Sequence, residues 1–138
     1  MKFHLLLPAL LGALLLSACQ STDSPHQVFV KMDTDADGRI SLAEANRYIL
    51  PRIFAVFDRN GDGSVTLVEA RQIEPNFDAR LFATRDRNHD GRVAFEEFRV
   101  VADKEGTVKR MFVEIDRNRD GFLDSAEGEA LRKSHPGN

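Results

Sequence analysis

The sequence predicts an all-α fold of four helix–loop–helix repeats, arranged as two pairs with short β contacts between the loops. Three observations predict it. A twelve-residue segment rich in side-chain oxygens occurs four times in the 138-residue chain. Apolar residues at helical spacing flank these segments. A phenylalanine precedes each segment by four residues, and we interpret these aromatics as core residues: Phe29, Phe54, Phe82 and Phe112.

The four repeated segments, here called loops one to four, share one pattern of residue types. Each has Asp at position 1, Asp or Asn at position 3, Asp at position 5, Gly at position 6, an aliphatic residue at position 8 and Glu at position 12. The copies are DTDADGRISLAE (33–44), DRNGDGSVTLVE (58–69), DRNHDGRVAFEE (86–97) and DRNRDGFLDSAE (116–127). One copy can arise by chance in a surface turn, but four copies with matching flanks exclude coincidence.

In these residues the chain resembles the EF-hand family, from about residue 26 to residue 133. The resemblance implies that each loop wraps one calcium ion, so that the chain binds up to four Ca²⁺. Ca²⁺ takes six to eight oxygens at about 2.3–2.6 Å, so a short loop must present oxygens from alternate residues. A bidentate Glu at position 12 favours Ca²⁺ over Mg²⁺, and the sequence has no Cys/His cluster with the ligand spacing of Zn²⁺.

The resemblance assigns a ligand role to each position of the loops. Positions 1, 3 and 5 offer side-chain oxygens, position 7 a backbone carbonyl, position 9 often a water, and position 12 two carboxylate oxygens. The predicted ligands of loop one are Asp33, Asp35, Asp37, Arg39, Ser41 and Glu44. Those of loop two are Asp58, Asn60, Asp62, Ser64, Thr66 and Glu69. Those of loop three are Asp86, Asn88, Asp90, Arg92 and Glu97, since Ala94 leaves position 9 to water. Those of loop four are Asp116, Asn118, Asp120, Phe122, Asp124 and Glu127.

Helix boundaries in the first half follow from capping residues and prolines. Ser24 and Pro25 have the types expected at an N-cap and a first helical position. After loop one, a helix is predicted from Leu42 to about Leu50, and Pro51 is expected to begin the next helix. The helix after loop two is predicted to end near Glu74.

The second half has its own capping signals. Asn76 or Asp78 is expected to open the helix before loop three. The helix after loop three is predicted to end in a turn from Asp103 to Gly106, and Thr107 is predicted to cap the helix before loop four.

The repeats are predicted to pair in chain order. Loops one and two form the first pair (26–74) and loops three and four the second (75–138), each pair joined back to back through short strands around position 8. The first aspartates are 25, 28 and 30 residues apart. This spacing is closer than in calmodulin-like proteins, so their long central helix is not assumed.

The first 25 residues resemble an export signal followed by a tether. Residues 1–18 combine Lys2, an apolar run and small residues at the end, as in a secretory signal peptide. The junction Leu16-Ser17-Ala18-Cys19 resembles the lipobox of bacterial lipoproteins, in which the cysteine is lipid-modified and becomes the first residue. We therefore predict a lipid anchor at Cys19 and a tether over 19–25. The alternative is an ordinary cleaved signal peptide that happens to contain a cysteine.

Charge and the residue after the cysteine bear on location and partners. Removal of residues 1–18 takes away one lysine and no acid, so the net charge moves from −3 to −4, which gives no reason to propose nucleic acid as a partner. Gln20 in place of Asp favours the outer membrane facing the periplasm over the inner membrane, by resemblance to Gram-negative lipoproteins.

Three classes of function are compatible with export and calcium. The first is a membrane-tethered calcium sensor or buffer, with calcium, the membrane and a protein partner of unknown identity as its contacts. The second is a dockerin-like interaction module. Dockerins resemble this chain in only two repeats, and those repeats lack full helices before the loops. The third is an enzyme, and we predict that the chain is not one, because no catalytic constellation stands apart from the loops.

Overall fold

The computed structural model describes residues 24–127. The predicted signal peptide, Cys19 and most of the tether lie outside the described residues, as do residues 128–138. The elements in chain order are α1 (Pro25–Met32), β1 (Ile40–Ser41), α2 (Leu42–Phe57), β2 (Ser64–Thr66), α3 (Leu67–Ile73), α4 (Ala79–Arg85), β3 (Arg92–Ala94), α5 (Phe95–Glu105), α6 (Thr107–Ile115) and β4 (Phe122–Leu123). The mostly helical fold with short strands in the loops confirms the predicted fold class. Among residues 24–127, no helix has the length and apolar character needed to cross a membrane.

Two predicted helix starts are confirmed. Ser24 is the N-cap of α1 and its side chain accepts a hydrogen bond from the Gln27 amide at 3.3 Å, with Pro25 at the first helical position. Asp78 is the N-cap of α4 and accepts from the Arg80 amide at 2.7 Å. In both cases a short polar side chain satisfies an amide that the first helical turn leaves without a backbone partner.

Helix α2 continues through Pro51, so the prediction that a helix ends before this residue is wrong. A proline inside a helix costs about 3 kcal/mol, because it lacks the N–H and crowds the preceding turn. Leu50, Ile53 and Phe54 are buried on both sides of the proline, and full burial of such side chains contributes about 1.5–3 kcal/mol each. The guanidinium of Arg52 also donates to the Tyr48 carbonyl at 2.9 Å in this turn. Tertiary burial therefore outweighs the local cost.

The junction between α5 and α6 also differs from the prediction. Helix α5 runs through Asp103 to Glu105, and Gly106 alone interrupts the helices, with φ at 64°. Thr107 is already the first residue of α6 and is buried, so it does not cap that helix. A glycine adopts this left-handed conformation without the Cβ penalty of other residues, so one residue is enough to end α5.

The loops pair as predicted through strands centred on position 8, but the predicted partners are wrong. Strand β1 of loop one pairs antiparallel with β4 of loop four, where Ile40 lies opposite Leu123. Strand β2 of loop two pairs antiparallel with β3 of loop three, where Val65 lies opposite Val93. The reason is α2, which joins loops one and two in 16 residues and is therefore about 24 Å long. Loops at opposite ends of a helix this long cannot share a sheet.

Two hydrophobic clusters correspond to the two pairs of loops. The larger cluster contains Met32, Ile40, Ala45, Leu50, Ala102, Val108, Phe112 and Leu123. The smaller contains Phe54, Val65 and Ala70. Phe95 and Phe98 pack against both clusters, and the rings of Phe54 and Phe95 meet edge to face with centroids 5.3 Å apart. Phe54 and Phe112 belong to these clusters, Phe29 packs against the larger one, and Phe82 is buried outside both, so the interpretation of these phenylalanines as core residues is confirmed.

Candidate metal centre

The carboxylate of the first aspartate holds each loop in its curve. In loop two, one oxygen of Asp58 accepts from the amides of Gly61 and Asp62 at 2.8 and 3.2 Å, and the other accepts from Gly63 at 2.9 Å. Gly63 has φ at 84°, a region that residues with a Cβ rarely adopt. The same bond from the position 6 glycine, at 2.9–3.0 Å, occurs in every loop: Gly38 to Asp33, Gly63 to Asp58, Gly91 to Asp86 and Gly121 to Asp116.

The side chains at positions 3 and 5 also turn toward the inside of the loop. The position 5 amide donates to the oxygen at position 3, as from Asp62 to Asn60 at 2.7 Å and from Asp120 to Asn118 at 2.7 Å. The position 7 amide donates to one oxygen of the position 5 carboxylate, at 2.8–2.9 Å, from Arg39, Ser64, Arg92 and Phe122. Each position 5 carboxylate therefore has a second oxygen that no position 7 amide uses.

The glutamate at position 12 connects the start and the end of its loop. In loop one, Glu44 accepts from the Thr34 amide at 2.7 Å with one oxygen and from the Ser41 amide at 2.9 Å with the other. In loop three, the two oxygens of Glu97 accept from Arg87 and Ala94 at 2.9 and 3.0 Å. Loop four repeats this arrangement, with Glu127 accepting from Arg117, Asn118 and Asp124. The predicted bidentate residue thus lies where both of its oxygens face the loop.

The residue at position 9 is also the N-cap of the helix that follows the loop. The Ser41 hydroxyl donates to Glu44 at 2.9 Å and accepts from the Glu44 amide at 3.3 Å. Thr66 and Glu69 make the same reciprocal pair at 2.8 and 3.2 Å. Such a capping box satisfies two unpaired amides of a helix start. One glutamate therefore closes the loop and begins the next helix, which couples the geometry of the loop to the helix.

Hydrogen bonds lower the pKa of several of these carboxylates. The amide and hydroxyl of Ser41, with further bonds from Thr34, lower the pKa of Glu44 to about 2 against the desolvation caused by its burial. Bonds from the Ser64 hydroxyl and amide lower the pKa of Asp62 to about 2. The pKa of Glu69 is lowered by its bonds from Thr66. Ionised oxygens are the ligands that a hard divalent cation requires.

Two oxygens in the loops fit a cation directly. Glu69 Oε1 and Asp116 Oδ1 are buried and have no hydrogen-bond partner. A buried carboxylate oxygen without a partner is costly, and a bound cation would satisfy it. In loop one, carboxylate oxygens of Asp33, Asp35 and Asp37 lie within 4.8 Å of one another. The oxygen-rich residues of the loops therefore fit a hard divalent cation such as Ca²⁺.

The structure adds residues that the ligand pattern did not indicate. Thr34, at position 2 of loop one, donates to Glu44 with its hydroxyl at 2.9 Å as well as with its amide. Position 4 of each loop is left-handed, with φ near 60° in Ala36, His89 and Arg119. A small or polar residue at position 4 is only a weak signal of this conformation, and loop two alone has a glycine, Gly61, there.

Comparison with known protein families identifies the same four segments. A family model described as EF hand matches residues 26–47, 52–69, 77–102 and 108–127. These segments cover more than half of the chain. Each contains one loop and ends at the glutamate of position 12 or within five residues after it. The comparison with curated proteins gives no match.

Proposed function

Because the chain belongs to the EF-hand family, whose repeats bind calcium, we propose that it binds one Ca²⁺ in each of its four loops and acts as a calcium sensor or buffer tethered to a membrane outside the cytoplasm. The observation that carries this proposal is the position 12 glutamate, which reaches both ends of its loop in Glu44, Glu97 and Glu127. An ion inside the loop would bind both oxygens and tighten this closure.

Electrostatics predicts that calcium orders the protein. Fourteen acidic side chains occupy ligand positions, four each in loops one and four and three each in loops two and three. Without a cation these charges repel one another, so binding free energy becomes folding free energy. Four ions would change the net charge of the exported chain from −4 to +4. A change in the sign of the net charge alters which charged surfaces near the membrane attract the protein.

A sensor needs a surface that binds a partner protein, whereas a buffer does not. Sensors that capture many helices use flexible grooves rich in methionine. Met32 is buried in the core and Met111 is half-buried, so among residues 24–127 the methionines supply no such groove. A buffer, or a sensor with one specific partner, fits this surface better.

The dockerin-like alternative has less support. Helices α1, α2, α4 and α6 precede the four loops, whereas dockerin repeats lack full helices at this place. The strand pairs also use all four loops. Both features favour a four-site calcium protein.

Calorimetric titration of the full chain in mild detergent tests the stoichiometry. We expect about four equivalents of Ca²⁺, together with a change in circular dichroism between chelator and millimolar calcium. Two equivalents or fewer would contradict binding in every loop. A pull-down with and without calcium then separates the roles, because a sensor gains a partner with calcium and a buffer does not.

Replacement of Cys19 by serine tests the proposed anchor. We expect the acylated protein in the membrane fraction to be lost, because Ser cannot form the thioether and stable anchoring needs the lipid chains. Mass spectrometry of the N-terminal peptide checks the modification. Ser21→Ala, two residues after the cysteine, is the control and should stay membrane-bound. Cys19→Ser can also remain in the membrane as the unprocessed precursor, so the N-terminal peptide decides: membrane-bound Cys19→Ser from which residues 1–18 have been removed would contradict a lipid anchor at this residue.

A further inference from the structure

The position 5 carboxylate of loop two has no oxygen left without a partner. Asp62 Oδ1 accepts from the Ser64 amide and hydroxyl at 2.9 and 2.8 Å. Asp62 Oδ2 accepts from Asn60 Nδ2 at 3.1 Å and from Arg92 Nη1 at 2.9 Å. The oxygen that a calcium ion would bind is therefore held by a cation of the protein itself.

Arg92 reaches this oxygen because the two loops share a sheet. It lies at position 7 of loop three, on β3, and its backbone is opposite Thr66 of loop two. Its guanidinium also donates to the Ser64 hydroxyl at 3.0 Å, and its side chain forms part of the wall of the recess that contains Asn60, Asp62 and Glu69. The side chain of Arg92, a residue of loop three, therefore contacts predicted calcium ligands of loop two.

The corresponding arginine of the other loop pair makes a different contact. Arg39 is at position 7 of loop one, and its guanidinium lies over the ring of Phe122 in loop four, 5.7 Å from the centroid. Position 7 therefore has an arginine in one loop of each pair. Arg92 contacts a predicted ligand of its partner loop, whereas the contact found for Arg39 is an aromatic ring.

We propose that Arg92 is an internal competitor for the calcium ion of loop two, which lowers the affinity of this loop and delays its filling relative to loops one and four. The guanidinium and the ion both require Asp62 Oδ2. The positive charge of Arg92, 2.9 Å from this oxygen, would repel a divalent ion bound to it. Since Arg92 also belongs to loop three, its displacement links the filling of loop two to loop three. The inference rests on the proposed binding of calcium in loop two.

The size of the effect follows from the exposure of the pair. The side chains of Arg92 and Asp62 are 52% and 37% exposed. Exposed ion pairs are weakened by solvent and salt, and their usual contribution corresponds to a change of about two- to fivefold in affinity. The effect should shrink further as ionic strength rises, because salt screens exposed charges.

Four glycine amides provide one reporter for each loop. Gly38, Gly63, Gly91 and Gly121 each donate to the first aspartate of their own loop. An ion bound to that aspartate polarises the bond and moves the amide resonance. Calcium titration of the ¹⁵N-labelled full chain in detergent, with a calcium buffer, therefore gives a separate midpoint for every loop.

The variants compare Arg92 with a cation of the same recess. In Arg92→Gln we expect the calcium midpoint of Gly63 to fall about two- to fivefold, with the midpoints of Gly38 and Gly121 unchanged. Arg92→Lys, which keeps the charge, should change Gly63 less. Arg59→Gln is the matched control, because Arg59 lines the same recess and makes no ion pair with Asp62 among the described residues. It reports the general effect of one lost charge.

The outcomes separate the inference from the proposed function. A Gly63 midpoint that falls more in Arg92→Gln than in Arg59→Gln, with the difference lost in high salt, supports the competitor. A Gly63 resonance that titrates equally in Arg92→Gln and the wild type overturns the inference and leaves calcium binding intact. A Gly63 resonance that never moves in either protein overturns both the inference and the proposed binding in loop two.

Discussion

Replacement of Glu69 by glutamine is expected to weaken calcium binding in loop two by about a hundredfold and in loop three by a smaller factor. Glu69 supplies one buried oxygen that lacks a well-formed hydrogen bond and a second oxygen that accepts from the Thr66 amide. The amide of glutamine removes the charge and turns one ligand into a donor, and the charge of the ligands is a main determinant of affinity in such loops. Val65 and Val93 face each other in the strands, so a loosened loop two disturbs loop three.

The glycine amide titration described above measures this effect loop by loop. We expect the largest change in the midpoint of Gly63, a smaller one in Gly91, and little change in Gly38 and Gly121. Glu74→Gln is the control, because Glu74 is the C-cap of α3 outside any loop, and it makes the same acid-to-amide change. A midpoint for Gly38 that shifts more than that of Gly91 would contradict the pairing of loop two with loop three.

Replacement of Leu50 by alanine is expected to lower the free energy of unfolding of the calcium-free protein by about 2–5 kcal/mol. Leu50 is 2% exposed and lies in the cluster with Ala45, Val108 and Phe112. Its removal leaves a cavity beside Pro51, at the turn of α2 where the helix has lost a backbone hydrogen bond. This loss is large for a domain whose total stability is typically about 5–15 kcal/mol.

Chemical denaturation with chelator present measures the loss of stability. Val68→Ala is the control, because Val68 is 68% exposed and a surface change of this kind stays within about 0.5 kcal/mol. Calcium should raise the midpoint of Leu50→Ala, since a ligand that binds the native state stabilises it by mass action. Equal stability of the two variants would contradict the packing of α2 across Pro51.

The sequence predicted the local features of this protein because each depends on a few neighbouring residues. The four loops, the aliphatic residue at position 8 and the caps at Ser24 and Asp78 follow from residue types at short, regular spacing. The ion that fits the loops follows from the same pattern, since oxygen donors at alternate positions and a glutamate at position 12 suit Ca²⁺. All of these depend on contacts within about twelve residues.

The partner of each loop depends on contacts between distant segments, and only the tertiary structure decided it. Local preference ends a helix at Pro51, but burial of Leu50, Ile53 and Phe54 carries α2 through it and separates loops one and two. Loop one then meets loop four, loop two meets loop three, and Arg92 reaches Asp62 from 30 residues away. The sequence by itself determined the pattern of oxygen donors in each loop. Long-range burial of apolar side chains, which outweighs a local helix signal, determined which loops act together.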